Sequence, residues 1–279
     1  ALAVVEHYLP RGAGDDLPST DAGAVVALAE RLELLLSIYA KGERPSGSSD
    51  PYALRRAGNG VLLILWKQGW RLDLNVLLSK ALSIWTRLFP SFAIEPESLG
   101  AEIALLLRQR IVSLLEEEGL PIDLVQAVAG DAVSHERLLA DPVDVQDRIR
   151  LLHQLRDQGR LTAVQAVVQR AARLAEKGDL DQDRLSPADV VEPDRFESSS
   201  EQAMHAVVCK LEPLAQTRAY APLADALIEA TPELEAFFDG ESSVMVMADD
   251  PELRRNRLNL LGVLRNQASV LARFELIQS

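Results

Sequence analysis

The stretch Gly42-Glu43-Arg44-Pro45-Ser46-Gly47-Ser48-Ser49-Asp50-Pro51-Tyr52-Ala53-Leu54-Arg55-Arg56-Ala57-Gly58-Asn59-Gly60-Val61-Leu62-Leu63-Ile64-Leu65 stops one helix, turns the chain and starts another. Gly42 stands where a helix from about Asp21 to Lys41 should end, in the left-handed slot that glycine fills cheaply. Pro45 to Ser49 is a tight polar loop. Asp50 then offers a carboxylate to the free amides of a second helix, with Pro51 expected at the first helical position, where its missing N–H costs nothing. Helix, loop, cap and helix within one short window set the expectation for the whole chain, which is all-α.

The rest of the sequence repeats this grammar. Apolar residues recur at three to four in Val25, Ala29, Leu32, Leu36 and Tyr39, and again in Leu77, Leu78, Ala81, Leu82 and Trp85 behind an Asp73 cap. Phe89 to Glu97 reads as a loop. Ile103, Leu107, Ile111, Leu114 and Leu115 mark the next helix, closed by Gly119 and Pro121, and a short helix from about Ile122 to Ala129 follows. Asp141-Pro142 and Asp250-Pro251 repeat the device of Asp50-Pro51, and Thr231-Pro232 varies it. Helices are expected at Leu161 to Lys177, Ser200 to Gln216, Pro222 to Ala230 and Pro232 to Phe238. Gly178 to Ser199 is rich in Asp, Pro and Ser without helical period, so it is expected to be an exposed, mobile loop. The chain is expected to form two parts, 1–140 and 141–279.

A chain of 279 residues, 48% hydrophobic and 25% charged, has the composition of an ordinary globular protein of one large or two smaller domains. No apolar run is long enough to cross a membrane, and no secretory leader opens the chain. The chain begins on Ala1 inside an apolar, helix-like stretch, so we expect an amino-terminal part to be absent. The lone Cys209 fits a reducing cytoplasm.

A net charge of −13 argues against general polyanion binding, DNA included. The charge is uneven, however. Val143 to Lys177 carries a net +3 and Asp250 to Ser279 a net +2, while acid is concentrated between Glu176 and Glu201. Two basic helical segments on an acidic protein suit local RNA binding. Arg148 and Arg150 in the first segment, and Arg254, Arg255 and Arg265 in the second, are the candidate RNA contacts. In the last helix Leu253, Leu260, Val263, Leu264, Ala268 and Leu271 share one sector. Arg257 falls inside it and is expected to be buried and paired. Arg255 and Arg273 lie opposite, with Arg254 and Arg265 on the flank.

No catalytic constellation is visible. His7, His135, His153 and His205 show no zinc spacing, and Gly42 to Ser49 lacks the Gly-Lys-Ser/Thr of a phosphate loop. On the Asp50 helix, Arg55, Arg56 and Asn59 share a face with Leu63 and Trp66. That mixture reads as a packed interface more than as a free RNA surface.

Three segments carry a resemblance. Pro45-Ser46-Gly47-Ser48 with Asp50-Pro51-Tyr52-Ala53-Leu54-Arg55-Arg56-Ala57, Glu6-His7-Tyr8-Leu9-Pro10-Arg11 with Ala13-Gly14-Asp15-Asp16-Leu17-Pro18, and Phe237-Phe238-Asp239 followed by Val244-Met245-Val246-Met247 and Leu253-Arg254-Arg255-Asn256-Arg257-Leu258 stand in the order of the signatures of one family. That family is the beta subunit of the bacterial heterotetrameric glycyl-tRNA synthetase. The chain departs from the pattern at Gly58-Asn59, where Ala-Leu is usual, and at Leu63, where Arg is usual.

The resemblance implies the carboxyl-terminal half of such a subunit: the second half of an HD-like helical domain, then a helical-bundle (DALR-like) anticodon-binding domain. It implies tRNA(Gly), the alpha subunit and the amino-terminal half of the beta subunit as partners. ATP and magnesium would be used by the whole enzyme, with neither a cofactor nor a metal held by this part. Many relatives show aspartates where this chain has Glu30 and Glu33, which weakens the case for metal further. The alternatives are a fragment of an HD-type metallophosphohydrolase and a helical protein-interaction scaffold.

Overall fold

The computed structural model describes residues 2–92 and 94–278. Among them the chain forms thirteen α-helices: α1 Leu2–Glu6, α2 Asp21–Ala40, α3 Leu54–Gln68, α4 Leu74–Leu88, α5 Pro96–Glu117, α6 Ile122–Ala129, α7 His135–Ala140, α8 Pro142–Asp157, α9 Leu161–Ala175, α10 Ser199–Gln216, α11 Tyr220–Glu229, α12 Thr231–Phe238 and α13 Pro251–Ser269. The β-pairing recorded among these residues is a single bridge, Ser46 to Ser49, in the loop before α3. The protein is all-α. No described helix is long and apolar enough to cross a membrane.

Residue contacts divide the chain into two compact units, the first comprising 1–125 and 129–147 and the second 126–128 and 148–279. In the first unit α3 packs against α2 and α5, and α4 against α5 and α7. Leu35, Leu62, Leu65, Ile103, Leu107 and Ile111 are fully buried there. Each such side chain contributes about 1.5–3 kcal/mol when it leaves water. In the second unit α13 is the central helix, flanked by α9 and α10, and α11 and α12 close against α10.

The caps explain where the helices begin. Thr20 accepts from the Gly23 amide, Asp73 from Asn75 and Val76, Asp141 from Val143 and Asp144, and Asp250 from Glu252. Gly42 takes φ +91° after α2, as expected of a left-handed terminator.

Asp50-Pro51 departs from the expected form. The helix starts at Leu54, not Pro51, because Asp50 to Ala53 closes a turn and Ala53 adopts a left-handed φ of 58°. Asp50 still caps, but at longer range, through Leu54 N–H at 2.8 Å and Arg55 N–H at 2.9 Å. Thr231 also departs: it lies inside α12, and its hydroxyl donates to the Leu227 carbonyl. α5 begins at Pro96, inside the segment read as loop, and α7, behind its Ser134 cap, was not expected at all.

The largest correction concerns residues 178–199. Up to Ser198, where α10 takes over, the segment is free of α-helix, as expected, with a 3-10 turn at Pro193–Arg195. It is not unanchored. The side-chain amide of Asn256 bonds both the N–H and the carbonyl of Glu192. Asn259 donates to Val190, Asn266 to Asp181 and Arg184, and Gln267 to Leu185. Leu180 sits over Gly262, where a Cβ would come within 2.8 Å of it, and Val191 is buried. The segment is a strap tied down by the amide side chains of α13 and by Leu180 and Val191, so the lack of helical period did not mean a lack of anchors.

Candidate nucleic-acid interface

The strap changes the surroundings of every arginine on α13. A helix with one apolar sector should leave its polar side in water. Instead residues 256–264 and 266–268 are all buried, since the strap covers the polar side. Arg257 is 5% exposed. Its Nε donates to Glu201 Oε1 at 2.7 Å, and its amino groups reach Glu201 Oε2, Glu197 and the Met245 carbonyl. Glu201 is itself fully buried and also accepts from the Glu197 and Ser198 amides, completing the capping box of α10. Burial alone works against the charge on Arg257, but the two carboxylates more than restore it and hold its pKa above the ordinary value. Arg257 is the buried, paired arginine that its place in the apolar sector predicts.

The neighbouring arginines differ. Arg255 is exposed. Arg254 is half-buried and donates to the Ala248 carbonyl at 3.2 Å. Together with Lys177, at the end of α9, they line a recess of about 360 Å³ whose other walls include Asp179, Leu258 and Asn259. Three cations around one concavity suit a phosphate, since the charges are preorganised and reachable from solvent.

Two expected RNA contacts do not belong to this surface. Arg265 is half-buried and donates to the Leu180 carbonyl and to Asn266. Burial, then nearby Arg273, lowers its pKa. It is a tie for the strap. Arg148 is only 1% exposed, donates to the Leu271 carbonyl and lies 5.9 Å from the centroid of the Tyr220 ring. A nucleic acid cannot reach it. The signal was present in the sequence, since Arg148 falls three residues after Val145 and four before Leu152, inside the apolar stripe of α8. Arg150, on the other side of α8, is exposed.

The face expected as an interface in the first unit is partly used up. Trp66 donates its indole N–H to the Pro142 carbonyl at 2.8 Å, and Arg55 donates to Gly47 at 2.8 Å. Both serve contacts within the unit. Arg56, Asn59 and Leu63 do come together, lining a cleft of about 210 Å³ with Leu114, Glu117 and Glu118.

Sequence reasoning missed Arg31. It is 6% exposed and donates to the carbonyls of His7, Tyr8, Pro10 and Ala27, fastening the segment after α1 onto α2. The nearby Arg11 and Asp15 pair through side chain and backbone at 2.7–3.0 Å. Among the described residues, no three His, Cys, Asp or Glu side chains gather as metal ligands would. Glu30 pairs with Arg31, and Glu33 accepts from Ser37.

The family described as glycyl-tRNA synthetase beta subunit matches residues 1–130. The glycine–tRNA ligase beta subunit of Picosynechococcus sp. is 45% identical over 280 residues, covering 98% of this chain. The chain belongs to the glycyl-tRNA synthetase beta-subunit family. The corresponding subunit of Acaryochloris marina is also 45% identical, and that of Aliivibrio salmonicida is 34% identical over the whole chain. The chain spans 39% of the length of the first two relatives and 38% of the third. Membership therefore covers both units, including α13 and its arginines.

Proposed function

We propose that this chain is a tRNA-binding, non-catalytic part of a cytoplasmic glycyl-tRNA synthetase, the enzyme that converts ATP, glycine and tRNA(Gly) to glycyl-tRNA(Gly), AMP and diphosphate. In this reading the alpha subunit carries the chemistry on glycine, ATP and magnesium, and no residue here acts on them. The second unit serves as the anticodon-binding domain, and the first is the later half of an HD-like domain. The cleft of Arg56, Asn59 and Leu63 contacts the rest of the synthetase. Holding tRNA(Gly) by its far end fixes where its 3′ end falls, which is a positioning contribution to a reaction at a distant site.

The observation that carries this reading is the recess of Lys177, Arg254 and Arg255 in a family of synthetase subunits. An otherwise acidic surface around it would discourage indiscriminate binding of polyanions.

Filter binding of tRNA(Gly) against an unrelated tRNA tests the reading. Preference for tRNA(Gly) is expected. Arg255→Ala should lower the slope of log affinity against log salt by roughly one unit or slightly less, with the melting temperature unchanged. Equal, weak binding of both RNAs would overturn it.

A further inference from the structure

The segment between α12 and α13 alternates in an unusual way. Val246 is buried, while Met245 on one side is 76% exposed and Met247 on the other is 43% exposed. The segment is tied at several points. The Val244 amide donates to the Phe237 carbonyl at 2.9 Å, and the Ser242 carbonyl accepts from Ser198 and Ser200 at the start of α10. The Met245 carbonyl accepts from Arg257 at 3.1 Å, and the Ala248 carbonyl from Arg254 at 3.2 Å. A backbone held by α10, α12 and α13 thus presents two flexible thioethers to solvent. The ordering cost of the backbone is already met, while the side chains keep the adaptability of methionine.

Arg254 links this segment to the recess. Its guanidinium holds the carbonyl of the residue after Met247, and its side chain lines the cavity with Lys177 and Arg255. The Met247 end of the segment is therefore fastened to an arginine of a concave cationic site. An unpaired nucleotide has the complementary halves, an anionic phosphate and an aromatic base free to leave the stack. Thioether sulfur makes favourable contacts with aromatic faces and edges. A protein surface could cover the methionines, but three cations in one recess call for a phosphate-bearing partner. Of the nearby acids, Asp250 caps α13 and Glu252 pairs with Arg195, which leaves Asp179 as the carboxylate in the recess wall against the three cations.

We propose that Met245 and Met247 form a platform for the base of an unpaired tRNA nucleotide whose phosphate lies in the Lys177, Arg254 and Arg255 recess. This rests on the tRNA-binding reading and extends it to a base-contacting site.

The chain has three methionines, and the third, Met204, is fully buried in α10. Carbon-13 labelling of the methionine methyl groups therefore gives two reporters and an internal control. On titration with tRNA(Gly), the Met245 and Met247 signals should move and Met204 should stay. Met245→Ala and Met247→Ala should each weaken tRNA(Gly) binding by roughly two- to tenfold, with no change in salt slope. Neither should weaken binding of an abasic oligoribonucleotide. If tRNA(Gly) binds with its dependence on Arg255 intact while both methionine signals and both alanine variants are unaffected, the platform is wrong and the tRNA-binding reading stands. If no RNA binds, both fail. If the two alanine variants lose the alpha subunit but keep full RNA affinity, the segment is a protein-docking site and the proposal is overturned.

Discussion

Arg31 in the first unit and Arg257 in the second both fasten a loop to a helix, but with different partners. Arg31 is bonded to four backbone carbonyls, from His7, Tyr8, Pro10 and Ala27, and to Glu30, whose side chain is 48% exposed. Arg257 is bonded to Glu201, which is fully buried, to the more exposed Glu197 and to one carbonyl. Burial lowers the pKa of Arg31, whereas the carboxylates around Arg257 outweigh burial and raise it. A guanidinium among carbonyls loses hydration without gaining a countercharge beneath it. One against a buried carboxylate gains Coulomb energy, and in turn makes that carboxylate tolerable. Removing each arginine should therefore give different results.

The largest expected effect is at Arg257. Arg257→Ala leaves Glu201 buried and unpaired, at a cost of about 3–5 kcal/mol. Arg31→Ala leaves carbonyls short of a donor but no buried carboxylate without its cation, so it should cost less. Thermal melts of the two variants provide the check. Equal losses would erase the distinction.

Gly60→Ala sharpens the comparison from the other side. A Cβ at Gly60 would lie 2.3 Å from Arg31 Nε and 2.6 Å from Cδ, so the fully formed carbonyl cluster leaves no room for a methyl group. Overpacking of this kind costs about 1–3 kcal/mol. A denaturant midpoint as high as that of the parent would mean that Arg31 can swing aside freely. A smaller and local effect is expected at Asn256, which pairs with both backbone groups of Glu192. Asn256→Ala should cost about 1 kcal/mol, since Glu192 is exposed and water can replace much of the lost bonding. Its signature is faster amide exchange in residues 180–192, with that of α10 unchanged.

The same contrast explains what could be read in the sequence. Arg257 was legible because its burial leaves a local mark, a place in the apolar sector of one helix, whereas its partner Glu201, in the capping box of another, was not read. Arg31 left no mark, because carbonyls have no side-chain identity and three of the four lie more than twenty residues away in sequence. The strap failed to declare itself for the same reason, since its anchors are amides of α13 that look solvent-facing by periodicity. Asp-Pro was a sound start signal at Asp141 and Asp250, where side chain and helix are adjacent. At Asp50 the intervening turn, with Ala53 left-handed, displaced the start without abolishing the cap. α7 has six residues, too few to show a period. In the candidate interface, charge counts pointed to α8 and α13, but only packing could separate Arg254 and Arg255, at the recess, from Arg148 and Arg265, which are committed within the unit.

The smallest expected effect lies at Glu6, beside the loop that Arg31 holds. Glu6 is buried, and its carboxylate accepts from the Ser19 amide at 2.9 Å and from the hydroxyls of Ser19 and Thr20. Those side-chain hydrogen bonds, Ser19 first and then Thr20, hold its pKa below the ordinary value of 4.5 despite burial, which acts the other way. The folded state thus favours the ionised form. The stabilisation is present above the unfolded pKa and is lost as pH falls through the lower, folded one. At neutral pH Glu6 and Arg31 both support the attachment of residues 6–20 to α2, one by accepting and the other by donating. Only the Glu6 half should weaken in acid. Glu6→Gln keeps the size but removes the charge, so it should lower stability modestly near pH 7 and flatten the decline below about pH 4.5. Melting temperatures of parent and variant should converge as pH drops. Divergence on acidification would mean that protonated Glu6 is still favoured over the amide at this corner, and that its ionisation is not what holds the segment.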